Sequence, residues 1–322
     1  MMFIDHERLS RYVTTRLLPA LGCTGCPFTL TETTLGIHSR VFFLDIQGYK
    51  PLILKALSSR RRFTMLCACA KHLAQHGISA PCVVHADPDA WLLGRRGFHV
   101  VCEERVIGRT LFESGVPNEI LPTVAAFFAR MHNVYSNHWG TLDRLRTRGL
   151  YRHLMKRLEQ KISYWHGADK TISRSFVVCI KQWARKWQQC IDAVTRYSLS
   201  HGDPNPGNII MTERCKPVLL DIGHIRYLPR AIDYWMVKLH LCRDNTERAA
   251  LFDSAYVDAM DPAHYAAFRD TEPFYALYVF VDFAALLATR IKTTGADDRY
   301  YDEYRSGLST VRHMIENLLS GH

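Results

Sequence analysis

The sequence predicts an α+β chain of two lobes, a small N-terminal lobe built on an antiparallel sheet and a larger, mainly helical C-terminal lobe. Three observations lead there. Short apolar runs broken by glycine turns occupy the N-terminal third, in the manner of strands. Beyond Leu121 the apolar residues recur at helical intervals instead. A chain of 322 residues with 48% apolar composition can also bury a large core and commonly divides in two. The division is expected between residues 104 and 105, giving lobes of 1–104 and 105–322.

The first element is an amphipathic helix over 4–21, with Ile4, Leu9, Tyr12, Val13, Leu17, Leu18 and Leu21 at helical intervals and Gly22 and Gly25 after it. Strands follow over 28–34 and 41–46, joined by the tight turn Leu35-Gly36-Ile37-His38-Ser39-Arg40. A glycine turn between two strands is usually a plain hairpin, but Gly36 and Ser39 are also placed to line a nest of backbone N–H groups for an anion. The third strand, 51–56, carries Lys55 late in an apolar run. A buried ammonium needs an anion, which phosphates would supply; the alternative is a lysine reaching solvent from the strand end. A helix over 62–76 comes next, ended by Gly77 and Pro81. Runs at 91–93 and 98–102 complete five strands, and residues 103–105, with Glu103 and Arg105, lead out of the lobe.

In the second lobe a helix covers 121–134, with His132 as a packing residue. Residues 144–187 are expected to be helical and basic, including Arg152, Lys156 and Arg157. A solvated basic face is the commonest meaning of such a stretch; contact with nucleic acid or an anionic membrane is the sharper one. Residues 231–322 are again helical, with an acidic, tyrosine-rich face around Asp297, Asp298, Asp302 and Glu303. From residue 241 onward there are 8 Lys+Arg against 13 Asp+Glu, so the positive excess of the +10 chain lies before that point. That asymmetry bears on partners and steering, not on fold.

Chemistry concentrates in Ser200-His201-Gly202-Asp203-Pro204-Asn205-Pro206-Gly207-Asn208 and in Val218-Leu219-Leu220-Asp221. Two apolar runs around the polar turn 212–217 form a hairpin, which sets Asn208 and Asp221 together at its open end. A carboxylate and an amide oxygen are hard ligands of the kind Mg²⁺ takes when phosphates and waters fill its other positions. Asp203, on a loop stiffened by two prolines, is placed to face a hydroxyl attacking phosphorus.

His201-Gly202-Asp203 with Asn208 and then Asp221 resembles the catalytic core of the aminoglycoside phosphotransferase and choline kinase superfamily, relatives of the protein kinases. The resemblance implies a two-lobed protein kinase-like fold. It implies that Asp203 orients or deprotonates the acceptor hydroxyl, that Asn208 and Asp221 hold Mg²⁺, and that Lys55 binds ATP phosphates. It further implies that His201 packs beneath the loop, that Asp233 is a buried acid tying the loop to the next helix, and that backbone groups of residues 103–105 meet the adenine. The chain departs from the family at the helix after Lys55, where Phe63-Thr64-Met65-Leu66-Cys67-Ala68-Cys69-Ala70 offers no acid to pair with the lysine. Either another acid such as Glu32 holds Lys55, or the nucleotide alone orients it, or the protein binds nucleotide poorly.

The expected activity is an ATP- and Mg²⁺-dependent phosphotransferase acting on a hydroxyl of a small molecule, a sugar, aminosugar or amino alcohol. A kinase of lipid-linked or lipopolysaccharide sugars, meeting an anionic or membrane-borne acceptor through the basic helices of 144–187, is a second reading. A pseudokinase that binds without turnover is a third; no nucleic acid is expected. Early acids in Met1-Met2-Phe3-Ile4-Asp5-His6-Glu7 argue against a secretory signal, and the most apolar run, 274–289, is short for a membrane span and carries Asp282. The ten scattered cysteines read as reduced thiols, with a zinc site at Cys23, Cys26, Cys67 and Cys69 as the remote alternative. A cytoplasmic location follows, peripheral to the inner face of a membrane if the second reading holds.

Overall fold

The computed structural model describes residues 6–33, 39–90, 98–294, 298 and 300–321. By its contacts the chain forms two units, one of Met1–Gly115 with Gly207–Ile225, the other of Val116–Pro206 with Arg226–His322.

The first unit begins with α1 (His6–Tyr12), which passes through one π turn, Val13–Leu17, into α2 (Leu18–Ala20). Then come β1 (Phe28–Thr33), β2 (Arg40–Ile46), β3 (Leu52–Leu57), α3 (Arg60–Gln75), β4 (Val83–Ala90), β5 (Phe98–Glu104), β6 (Arg109–Thr110) and α4 (Leu111–Ser114). The first five strands make one antiparallel sheet in the order β1-β2-β3-β5-β4. Strand alternation sorts its side chains. Phe42, Leu44, Ile46, Leu52, Leu54, Val100 and Cys102 face one way, where Leu9, Tyr12, Val13 and Leu17 of the N-terminal helix cover them. The Tyr12 hydroxyl fixes that cover by donating to Asp87 Oδ2 at 3.0 Å, with Arg16 3.5 Å from the same oxygen. The fourth strand is 83–90, which the sequence pattern does not announce; the run expected at 91–93 lies outside the described residues, as does Gly36 of the expected anion turn.

The second unit is mainly helical, as the sequence predicts. It contains α5 (Leu121–His132), the short strands β7 (Tyr135–Ser136), β8 (Trp139–Thr141) and β9 (Arg144–Arg146), then α6 (Leu150–Ala168), α7 (Arg174–Arg185), α8 (Gln188–Asp192) and β10 (Tyr197–Ser200). The basic stretch is therefore not helical throughout, because 144–146 is a strand on the edge of a five-stranded sheet. The chain returns to the first unit with β11 (Ile209–Met211) and β12 (Pro217–Leu219), which join β6 in a three-stranded sheet. It ends in the second unit with β13 (Arg226–Leu228), α9 (Arg230–Cys242), α10 (Thr246–Ala259), α11 (Tyr265–Thr293) and α12 (Tyr301–Ser320).

Helix α11 is the axis of that unit, packed by α6, α9 and α12. It continues past an internal Pro273 and is longer than the apolar run 274–289 suggested; with the turn before it, it is long and apolar enough to cross a membrane. Most of its apolar window is nevertheless buried among its neighbours, as in a core helix. Asp282, the acid inside the apolar run, is ion-paired with Lys161 of α6. Tyr234, Phe252, Tyr256 and Phe268 lock α9, α10 and α11 in one aromatic cluster, with ring centroids 4.8 Å apart between Tyr234 and Tyr256.

Candidate active site

In the second unit, buried strand β10 delivers the chain into the loop that starts at His201. The ring of His201 is fully buried, and its Nδ1 accepts the backbone N–H of Asp203 at 3.3 Å. Gly202 adopts a φ of 82°, which a side chain would strain. Asp203 is half-buried, and its Oδ1 accepts from Asn205 Nδ2 at 3.2 Å. Asp233, one turn into α9, accepts the backbone N–H groups of both His201 and Gly202. Burial pushes the Asp233 carboxyl up, but the neighbouring His132 and His201 and the backbone donors outweigh it and hold it below the usual range. His132 is buried and kept neutral, its basicity lowered by burial against the pull of Asp233 3.7 Å away. Its Nδ1 pairs with the Tyr256 hydroxyl at 2.7 Å, the position of a packing residue.

In the first unit, β11 pairs antiparallel with β12, Ile209 opposite Leu219. The Leu220 N–H donates to the Asn208 carbonyl at 2.8 Å, so Asn208 and Asp221 stand next to each other at the open end of the hairpin. Asp221 is exposed and left-handed, at φ 47° and ψ 47°, a conformation that aspartate tolerates better than most residues. The turn after it packs on α3, where the Cys69 thiol lies 3.9 Å from the Ile225 carbonyl. Helix α3 braces the hairpin, and it contains no acid.

Lys55 finds its acid elsewhere. Glu32 is taken by Arg40, with its Oε1 2.7 Å from Nε, so it is not the partner. Lys55 Nζ instead lies 2.5 Å from Oε1 of Glu103. Glu103 is not in a link leaving the sheet, because β5 extends through Glu104 and Glu103 is 2% exposed. Glu104 pairs with Lys50, and Arg105 lies over the Phe43 ring at 4.1 Å. Ser39 precedes β2 in a bend, half-buried.

A model of the phosphotransferase enzyme family matches residues 29–269. The chain belongs to that family. A search of curated proteins finds no match. Among solved structures, an aminoglycoside phosphotransferase assigned in Ralstonia eutropha is similar at a TM-score of 0.67 and 17% identity, over 99% of this chain and 98% of that one. The ethanolamine kinase of Plasmodium vivax is similar at 0.60 and 12%, over 98% and 92%. An amicoumacin kinase in complex with AMP-PNP and Ca²⁺ is similar at 0.61 and 16%, over 97% and 96%. At these identities the likeness is one of fold, and the fold is the protein kinase-like one.

Three residues of this phosphotransferase carry geometry that its sequence did not disclose. Asn205 is legible only as part of the loop, yet its side chain donates to Asp203. Glu103 stood at an expected exit from the sheet, and only the strand register brings it to Lys55. His240 gives no motif at all; burial lowers it to about 4 against the raising influence of nearby Asp203, and its ring sits edge-on to Phe283 at 5.0 Å.

Proposed function

We propose that this phosphotransferase transfers the terminal phosphoryl group of ATP, with Mg²⁺, to a hydroxyl of a small molecule of the sugar, aminosugar or amino alcohol class. The observation that carries the reading is the β11–β12 hairpin, whose open end brings the backbone of Asn208 beside that of Leu220 and so next to the exposed Asp221. An amide and a carboxylate are two hard oxygen ligands, and among the described residues no group of three or more His, Cys, Asp or Glu side chains gathers to hold a metal by itself. A divalent ion held by Asn208 and Asp221 would leave its other positions to phosphates and water, as Mg²⁺ does in nucleotide sites. When bound, the ion neutralises charge on the phosphates.

The chain's own groups do the rest. Asp203, fixed by Asn205, orients the acceptor hydroxyl and takes its proton. Lys55 binds phosphate oxygens as a point charge. Transfer of a phosphoryl group is mostly positioning and charge neutralisation, so these few groups suffice. The AMP-PNP held by the amicoumacin kinase and the small acceptor in the name of the ethanolamine kinase support the nucleotide and the acceptor class. A binding module without turnover was favoured by the missing helix acid, and the carboxylate on Lys55 removes that ground. A membrane-borne acceptor has less behind it: Arg152, Lys156 and Arg157 are exposed along α6 in the way of a solvated face, and Lys161 is engaged by Asp282. Ten cysteines, none in a disulfide among the described residues, fit a reducing, cytoplasmic setting.

Mg²⁺-dependent ATP consumption against pooled hydroxylated metabolites tests the reading. Consumption that rises with one pool and collapses on chelation is the expected result. Indifference to every pool, in protein that binds Mg·AMP-PNP, would return the binding module to first place.

A further inference from the structure

We propose that Glu103 is the positioning residue for Lys55, so that the phosphate-binding ammonium is set by a carboxylate on the neighbouring strand and not by one on a helix; this rests on the phosphotransferase reading above. The placement follows from register. Strand β3 pairs antiparallel with β5, Lys55 opposite Val101 and Ile53 opposite Glu103. Lys55 and Glu103 therefore project from the same face of the sheet as diagonal neighbours, within reach of two long side chains. This is the face opposite Leu54, Val100 and Cys102, which the N-terminal helix covers.

The pair has the marks of a fixed arrangement. Glu103 is buried to 2% exposure, its Oε1 lies 2.5 Å from Lys55 Nζ, and its Oε2 has no hydrogen-bond partner among the described residues. A buried carboxylate with so little other compensation holds its one cation firmly. The Lys55 side chain keeps 18% exposure, so the ammonium is held by the acid yet reachable by a ligand. No acid on α3 competes, and Glu32 is committed to Arg40. Because both partners sit on hydrogen-bonded strands, the geometry of Lys55 is set by sheet register and does not depend on where α3 lies.

The test is a coupling cycle read by calorimetric titration with Mg·AMP-PNP and, separately, with adenosine, which has no phosphates. Wild type, Lys55→Ala, Glu103→Gln and the double variant are compared. Glu103→Gln is expected to weaken Mg·AMP-PNP by about tenfold, to leave adenosine within about twofold, and to add nothing once Lys55 is already alanine. Independent losses that multiply in the double variant would overturn the proposal, as would a matching loss of adenosine, which would make Glu103 a nucleoside contact. Should Glu103→Gln not fold, Glu103→Asp takes its place, with an expected loss of about threefold for the phosphate ligand alone; unchanged affinity in that variant counts against the proposal. A wild type that ignores Mg·AMP-PNP removes the phosphotransferase reading and this one together. Binding by wild type that Glu103→Gln leaves untouched removes only this one.

Discussion

The Asp233 carboxylate accepts the backbone N–H of Gly202 at 3.1 Å, from 31 residues further along the chain. With the His201 N–H on its other oxygen, it satisfies two donors at the start of a loop that could otherwise leave them unpaired in a buried place. Asp233→Asn turns one acceptor into a donor facing an N–H. It is expected to cost about 2–4 kcal/mol of stability, read as a lower urea midpoint with unchanged slope. Turnover should fall as well, because the loop that carries Asp203 loses its anchor.

The same cluster fixes the sign of the acid response. The folded Asp233 carboxyl lies below its ordinary value, so its contribution is complete above the unfolded value of about 3.9 and is lost as pH falls through the folded one. His132 is also lowered, chiefly by burial, and is neutral when folded. The unfolded chain therefore takes up a proton at His132 below about pH 6.5 that the folded chain refuses. Stability should begin to decline below about pH 6.5 and fall further in the carboxylate range. His132→Gln should make the upper part of that decline shallower, with buried His240, lowered to about 4, still contributing to it, and leave the lower part in place, as followed by urea melts at stepped pH.

Much of this was legible before the structure, and what was not has physical reasons. The hairpin at 209–219 announces itself because two apolar runs flank a polar turn, and α5 because its period is unbroken. Strand β4 hides because His85, Asp87 and Asp89 interrupt its apolar pattern and two register shifts against β5 break its alternation. It is an edge strand, which is also why Pro88 is tolerated in it. Strands β8 and β9 have three residues each, too few for any period, and Arg144 and Arg146 disguise β9 as part of a basic helix. The pairing of Lys55 with Glu103 depends on which strands neighbour each other, information that local pattern does not carry. Asp302 and Glu303, taken from the sequence as part of an acidic acceptor face, occupy the first turn of α12, where carboxylates offset the helix dipole.

Asp203→Asn should separate chemistry from binding. The new amide keeps its oxygen toward the Asn205 donor at the present 3.2 Å and presents NH₂ to the acceptor, so it can neither orient nor deprotonate a hydroxyl. Turnover is expected to drop by about 10² or more with Mg·AMP-PNP affinity nearly unchanged. Steady-state kinetics beside calorimetry checks it, and equal losses in both would place Asp203 on the nucleotide instead.

Asp221→Asn should do the reverse. Asparagine also tolerates the left-handed conformation at φ 47°, so the fold is expected to hold and the melting temperature to stay close to wild type. What goes is the one negative charge of the two-ligand set, which leaves two neutral amide oxygens. The dependence of AMP-PNP affinity on Mg²⁺ concentration should flatten, while binding in the absence of metal stays as it was. A variant whose Mg²⁺ titration superimposes on wild type would move the metal away from the hairpin.

The basic face of α6 allows two classes of acceptor to be told apart by salt. Arg152, Lys156 and Arg157 are exposed, and the next basic residue, Lys161, is paired with Asp282. An exposed charge attracts an anionic acceptor only as far as salt allows, so a phosphorylated or membrane-borne acceptor would show a KM that climbs steeply between low and high salt. Replacing the three residues by Gln would then raise KM at low salt to its high-salt value. For a neutral or cationic small molecule neither change matters, because solvated surface charges contribute little to binding at a distance. With an acceptor from the responding metabolite pool, we expect the triple variant to keep the wild-type acceptor KM within about twofold from 50 mM to about 500 mM salt, whereas the variants at Asp203 and Asp221 remain impaired throughout. A KM that follows salt in wild type and loses that dependence in the triple variant would transfer the acceptor to the anionic class, leaving the nucleotide half of the assignment as it stands.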